Sequence, residues 1–363
     1  MESGYSPTGA IRMFAKFGQW YDQRQRADKR PQDEAARVMQ QTLEGYFRSH
    51  PLPAERIAQV QKLIASEGWA PKTERDLRVG FVFKTVKARQ ALDLKNYERA
   101  EELANQSLRM RPDQTEALDV LASAQFSQAN FSGTANTLRK LLEIQPANED
   151  AIRFYARALA AADGKSALSE YQKWEAGLSG TKTQEMKIAE AGLSLLNGKT
   201  SGARELENSL KQEDNARAFR GLGELGWWHY LAGDYPRAME LLELAVQRLP
   251  DNAIIRTRLA WAEIEMKRYR DALQMLESIP HGPETESLSM MTRAVARWRA
   301  GEKDEAIVDF NEAMMIGKDD WQDPRLIGAL YSPAAAKSIE EMKEEAERRR
   351  AKETAAAAGR RSP

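Results

Sequence analysis

The chain of 363 residues contains no cysteine, so disulfides, zinc ribbons and thiol chemistry are excluded. Histidine is almost as scarce. There are three, His50, His229 and His281, and none lies four residues from another. The H-E-x-x-H arrangement, two zinc-binding imidazoles one helical turn apart with a glutamate to activate water, is therefore missing. Net charge is missing too: 54 basic and 54 acidic side chains cancel, which gives no pull toward nucleic acid or an anionic membrane surface. No apolar run approaches the roughly 18–20 residues of a membrane span, and residues 1–10 do not read as a signal peptide. No Ser/His/Asp order, phosphate loop or Gly-rich dinucleotide signature occurs. Glycine and proline are modest, while Ala, Leu, Glu, Arg, Lys and Gln dominate, a composition that favours helix.

What is there is a 34-residue period. Tyr97 and Phe131, Pro112 and Pro146, and Tyr235 and Tyr269 each stand 34 apart. Each of these aromatics is followed three residues later by a small residue: Ala100, Thr134, Ala238 and Ala272. A period of this size on helix-type segments signals stacked helix–turn–helix units. With the proline at position 32, units begin at Phe81, Thr115, Glu149, Thr183, Phe219, Ala253 and Ser287, with one step of 36 between the fourth and fifth. Position 8 is then Ala88, Ala122, Ala156, Glu190, Gly226, Ala260 and Ala294, small except for Glu190. Turn signals such as Ala232-Gly233-Asp234 and Ala300-Gly301-Glu302 separate the helices. Pro112, Pro146 and Pro250 end second helices by denying the next turn an amide.

This pattern resembles the tetratricopeptide repeat. Units one, two, five and six match best, and units three and four are degenerate. The resemblance implies a stack with a concave groove lined by positions 2, 5, 9 and 12 of each first helix. Units five to seven place Trp227, Tyr230, Trp261, Ile264, Met291 and Trp298 there. Units one to four place Arg89, Arg153, Arg157 and Lys187 there, among Glu116, Asp119 and Ser123. The expected groove is basic-polar in its first half and aromatic in its second, and aromatic anchors are the usual energetic centre of a peptide interface. Trp227 and Trp261, at position 9, are the expected anchors. Tyr230 and Trp298, at position 12, have the alternative of packing on the next unit. No groove position named is Asn, so a Lys/Asn clamp for a C-terminal carboxylate is not expected. His229 and His281 read as structural.

The first eighty residues lack the period. Ser3-Gly4-Tyr5-Ser6-Pro7, followed by a helix reaching Met13-Phe14, and Ser49-His50-Pro51 with Pro53, Arg56 and Ile57 are similar to two elements of a zinc metallopeptidase family. That family includes the CAAX prenyl proteases and the HtpX heat-shock protease. The resemblance implies the end of a peptidase domain whose zinc ligands would lie upstream of Met1, with His50 near the metal cleft. A plain loop histidine is the competing reading of His50, and helix packing or an ion pair that of Arg56. Zinc is implied only for such a longer protein, and a bacterial periplasm or envelope setting follows from the same resemblance.

The expected architecture is an all-α right-handed superhelical solenoid, preceded by a short helical peptidase remnant and closed by a capping helix. Its parts are a helical segment over 1–66, a linker over 67–80, seven helix pairs over 81–320, a capping helix over 321–355 and a disordered tail over 356–363. The capping helix is expected to start with Ser332 as N-cap and Pro333 in its first turn. The expected function is a scaffold holding a protein or peptide segment in the groove, without nucleic acid or a membrane span. The alternatives are a zinc metalloendopeptidase whose catalytic half lies upstream, and an inert spacer in an envelope assembly.

Overall fold

The computed structural model describes residues 8–26, 53–69, 79–277, 279 and 286–359. All regular structure among them is helical. The chain divides into two compact units, Met1–Gly80 and Phe81–Pro363.

In the first unit, helix Thr8–Arg26 packs against helix Pro53–Ser66. Pro53 opens its helix, where a missing N–H breaks no intrahelical bond. The Arg56 guanidinium lies 5.4 Å from the Phe14 ring centre. Gly68 at φ +62° ends the helix and lets the Trp69 amide donate back to the Ile64 carbonyl at 3.1 Å. The segments Ser3–Pro7 and Ser49–Pro51, and His50 with them, lie outside the described residues.

The second unit is built of successive helix pairs. They are Gly80–Asp93 with Tyr97–Met110, Thr115–Ser127 with Phe131–Ile144, Glu149–Asp163 with Ala167–Ala176, and Gln184–Leu196 with Ser201–Glu213. Ala216–Leu231 with Tyr235–Arg248, Ala253–Glu265 with Tyr269–Glu277, and Glu286–Ala300 with Lys303–Gly317 complete the series. First helices also stack on first helices, 216–231 on 253–265 and 253–265 on 286–300.

The reason is close approach at small residues. Ala88, Ala122, Ala156, Ala260 and Ala294 at position 8 are all fully buried, as are Ala100, Thr134, Ala238, Ala272 and Ala306 at position 20. At Gly226 a Cβ would come within 2.9 Å of the Leu242 side chain, so only hydrogen fits without movement. Asn96, Asn130 and Asp234 cap the second helices by accepting from the amides of Arg99, Gly133 and Arg237.

Repeat four departs from the predicted frame. Thr183 is the N-cap, its hydroxyl accepting from the Met186 amide at 3.2 Å, and the helix starts one residue later. Positions 8 and 20 are therefore Ala191 and Ala203, both buried, rather than Glu190 and exposed Gly202. Glu190 is half-buried and pairs with Lys182 and Gln172. The single 36-residue step becomes two of 35, and Glu207 falls at position 24, where other repeats bury Leu138, Leu242 or Phe310.

Beyond Gly317 the capping region is more divided than one helix. A 3-10 turn, Lys318–Trp321, leads to a seven-residue helix, Pro324–Leu330, and then to the long helix Pro333–Gly359. Ser332 caps the latter, its Oγ accepting from the Ala335 amide at 2.9 Å. The helix runs past the position 355 expected from sequence, through Ala355–Ala358, because alanine has the highest helix propensity of any residue.

Candidate peptide-binding groove

The face formed by positions 2, 5, 9 and 12 divides in two. In repeats five to seven its predicted anchors are buried: Trp227, Tyr230, Trp261, Ile264 and Met291 are each at most 5% exposed, and only Trp298 is half-buried. Trp227 stacks flat on Tyr230 at 4.4 Å, one turn along the same helix. Trp261 stacks on Tyr331 at 5.0 Å, and Tyr331 in turn meets Trp321 at 5.6 Å and the edge of Trp227 at 6.3 Å. Trp298 donates through Nε1 to Glu341 at 2.9 Å and lies under the Lys303 ammonium. Burial pushes the phenols of Tyr230 and Tyr331 up, so both stay neutral donors. The expected free anchors thus face the C-terminal segment. Periodicity pointed to these positions, but what covers them comes from residues some forty to a hundred positions downstream.

The first half carries charge. Arg89 pairs with Asp119 at 2.5 Å, and Arg153 with Asp150. Arg157 and Arg258 grip Glu224 from two sides, at 2.7 and 2.8 Å. Arg258 also lies 5.5 Å from the Trp227 ring centre, tying the charged floor to the aromatic one. Burial alone would raise the Glu224 carboxyl, but Arg258 and Arg157 hold it down at about 2. Burial lowers the Arg258 guanidinium, with Glu224 opposing. Arg217 reaches Glu149 at 2.7 Å and Glu185 at 2.9 Å. Arg220 is exposed and has no ion pair among the described residues.

These side chains line a cavity of about 540 Å³ between the first helices of repeats three to six. Five guanidiniums (Arg153, Arg157, Arg217, Arg220, Arg258) meet three carboxylates (Glu149, Glu185, Glu224) there; with Asp150, which pairs with Arg153 from outside the lining, the excess is one positive charge. Arg153 and Arg157 were expected in the groove. Arg220 stands at position 2 of repeat five, so the same rule reaches it. Glu224 and Arg258, at position 6, escape the rule, and Arg217 precedes the predicted unit start because helix Ala216–Leu231 begins three residues early.

His229 is buried between repeats four and five, its Nε2 2.8 Å from Glu207 and its Nδ1 3.0 Å from Asp234. Arg237 also pairs with Glu207, whose carboxyl is lowered although burial opposes it. This cluster joins two repeats. Among the described residues no group of three His, Cys, Asp or Glu is placed to hold a metal ion. His50 and His281 lie outside the described residues. No helix among those described is long and apolar enough to cross a membrane.

Residues 229–283 match the tetratricopeptide repeat family model. Among solved structures it is similar to a tetratricopeptide repeat protein from Parabacteroides merdae, at 17% identity and a TM-score of 0.42, covering 69% of this chain and 97% of that one. It is also similar to PilF of Pseudomonas aeruginosa, at 12% identity and a TM-score of 0.36, covering 65% and 91%. Human IFIT1 is similar at 16% identity and a TM-score of 0.42, covering 84% and 80%. Comparison with curated proteins gives no match.

Proposed function

We propose that the chain is a protein-interaction scaffold that takes an acidic segment of a partner protein into the arginine-lined stretch of its groove. The observation that carries this reading is the open cavity of about 540 Å³ with five guanidiniums against three carboxylates. Planar guanidiniums bind carboxylates in pairs and lose less entropy per bond than lysine does. Arg217 and Arg220 are the exposed arms of the site, while Arg157, Glu224 and Arg258 hold its floor. A Glu/Asp-rich peptide should bind and a Lys-rich peptide of equal length should not. The double variant Arg217→Glu/Arg220→Glu should weaken acidic-peptide binding about tenfold or more, with unchanged helical content. Equal affinity for both peptides, or an unaffected double variant, would overturn the assignment.

A second reading makes the chain the C-terminal part of a zinc metalloendopeptidase, with the groove recruiting substrate and an envelope setting. It is supported by the packing of helix Pro53–Ser66 on helix Thr8–Arg26 through Arg56 and Phe14, residues of the two peptidase-like elements. An immunoblot of native cells tests it. A band well above the 41.0 kDa of this chain, together with zinc in the purified native protein, supports this reading, and a band at 41.0 kDa removes it.

A further inference from the structure

The aromatic half of the groove is filled by the chain itself, and the fill is imperfect. Trp321 and Tyr331 bracket the short helix Pro324–Leu330, with Tyr331 laid on Trp261 of the groove and Trp321 stacked on Tyr331. Trp321 Nε1 donates to Ser287 Oγ at 2.9 Å, and Ser332 Oγ donates to Glu265 at 3.1 Å. At the front of the segment, Asp320 accepts from Lys95 Nζ at 2.7 Å, across 225 residues of chain. Lys95 sits in the turn of repeat one, so this ion pair joins the two ends of the helix series. A short segment with aromatic rings, an acidic leading residue and side-chain hydrogen bonds at both ends is what a groove-bound peptide looks like.

Two features separate it from an ordinary core element. A cavity of about 550 Å³ lies beside it, walled by Tyr97, Phe126, Leu288, Leu326, Leu330 and Tyr331. The Trp261 indole N–H, fully buried under Tyr331, has no acceptor among the described residues. That cavity opens to solvent, so the segment is wetted on one side, and buried donors are ordinarily satisfied. Both departures fall where the segment meets the groove.

We infer that 318–331 is a tethered ligand, which occupies the aromatic half of the groove and gives way to a partner segment of the same chemistry, carboxylates next to an indole or phenol ring. The Lys95–Asp320 pair is its latch, exposed and therefore removable without disturbing the core. None of these contacts involves Arg217 or Arg220, so the two sites are tested by different variants.

The test uses the full chain and a fluorescein-labelled peptide of sequence 318–332 supplied in trans. Hydrogen exchange reports the amides of Ile327 and Tyr331, which donate to Asp323 and Ile327. In the parent protein these amides should exchange through a local opening, well ahead of the amides of buried Val295 and Ile264. Asp320→Lys, which breaks the latch but leaves Lys95 for the peptide's own Asp320, should speed that exchange and bind the peptide about tenfold tighter than the parent. The charge-swapped Lys95→Glu/Asp320→Lys should return both toward parental values. A peptide with Ala in place of Trp321 should lose binding to Asp320→Lys. Exchange of the segment only together with the core, or no gain in peptide affinity for Asp320→Lys, would overturn the inference.

Discussion

Glu263 lies buried on helix Ala253–Glu265, its Oε2 without a partner among the described residues and its nearest guanidinium, Arg268, 3.9 Å away. Burial pushes the carboxyl up to about 7, and Arg268 only partly opposes it. Folding therefore favours the protonated form. The associated stability is complete below the unfolded value of 4.5 and is lost as pH rises through about 7. Glu263→Gln should raise stability by on the order of 2 kcal/mol at about pH 8 and change little at about pH 4. Urea midpoints at the two pH values check it, and an equal shift at both would contradict it. Gly192 shows the opposite kind of constraint. A Cβ there would stand 2.2 Å from the buried Trp228 ring. Displacing an indole outweighs alanine's helix advantage of about 1 kcal/mol, so Gly192→Ala should cost about 1–2 kcal/mol net. Thermal unfolding tests this, and adding Trp228→Leu should recover part of the loss. Sequence marked neither residue: both positions read as ordinary members of a helix, and only the neighbour across the interface makes them special.

Within the helix pairs, the turn is the most regular element. Position 15 is left-handed in six repeats, at Lys95 (φ 57°), Ala129 (φ 54°), Gly198 (φ 74°), Gly233 (φ 81°), Lys267 (φ 61°) and Gly301 (φ 93°). Gly198 falls in line only when repeat four starts at Gln184, which supports the corrected frame. A residue with a Cβ pays about 1–2 kcal/mol in this conformation, whereas glycine's extra freedom in the unfolded chain costs less. Ala129→Gly should therefore stabilise the protein by about 0.5–1 kcal/mol, measured by chemical denaturation. A destabilised variant would mean that the Ala129 methyl contributes more packing than its backbone costs. The 34-residue period made these elements legible because tight helix packing demands small residues at fixed places. Repeats three and four were harder because insertions moved the frame by single residues, and a buried Glu207 stands where an apolar side chain was expected.

Among the described residues of Phe81–Pro363, helix content, repeat length, the order of the pairs and the Ser332-Pro333 helix start could be read from sequence. Each depends on residues near one another along the chain, through caps, turns and 3.6-residue periodicity. The same local rules put Trp227, Trp261, Arg153 and Arg157 on one kind of face. Which of them remain accessible was decided elsewhere. Tyr331 stacks on Trp261 and Asp320 meets Lys95 because the stacked pairs bring distant segments together. Arg157, Glu224 and Arg258 form one charged floor because the stack brings the first helices of repeats three, five and six within reach of one another. Local sequence determined the helices and the faces they present. Tertiary structure alone decided which face stays open, since burial and charge pairing are sums over neighbours that no single stretch of chain contains.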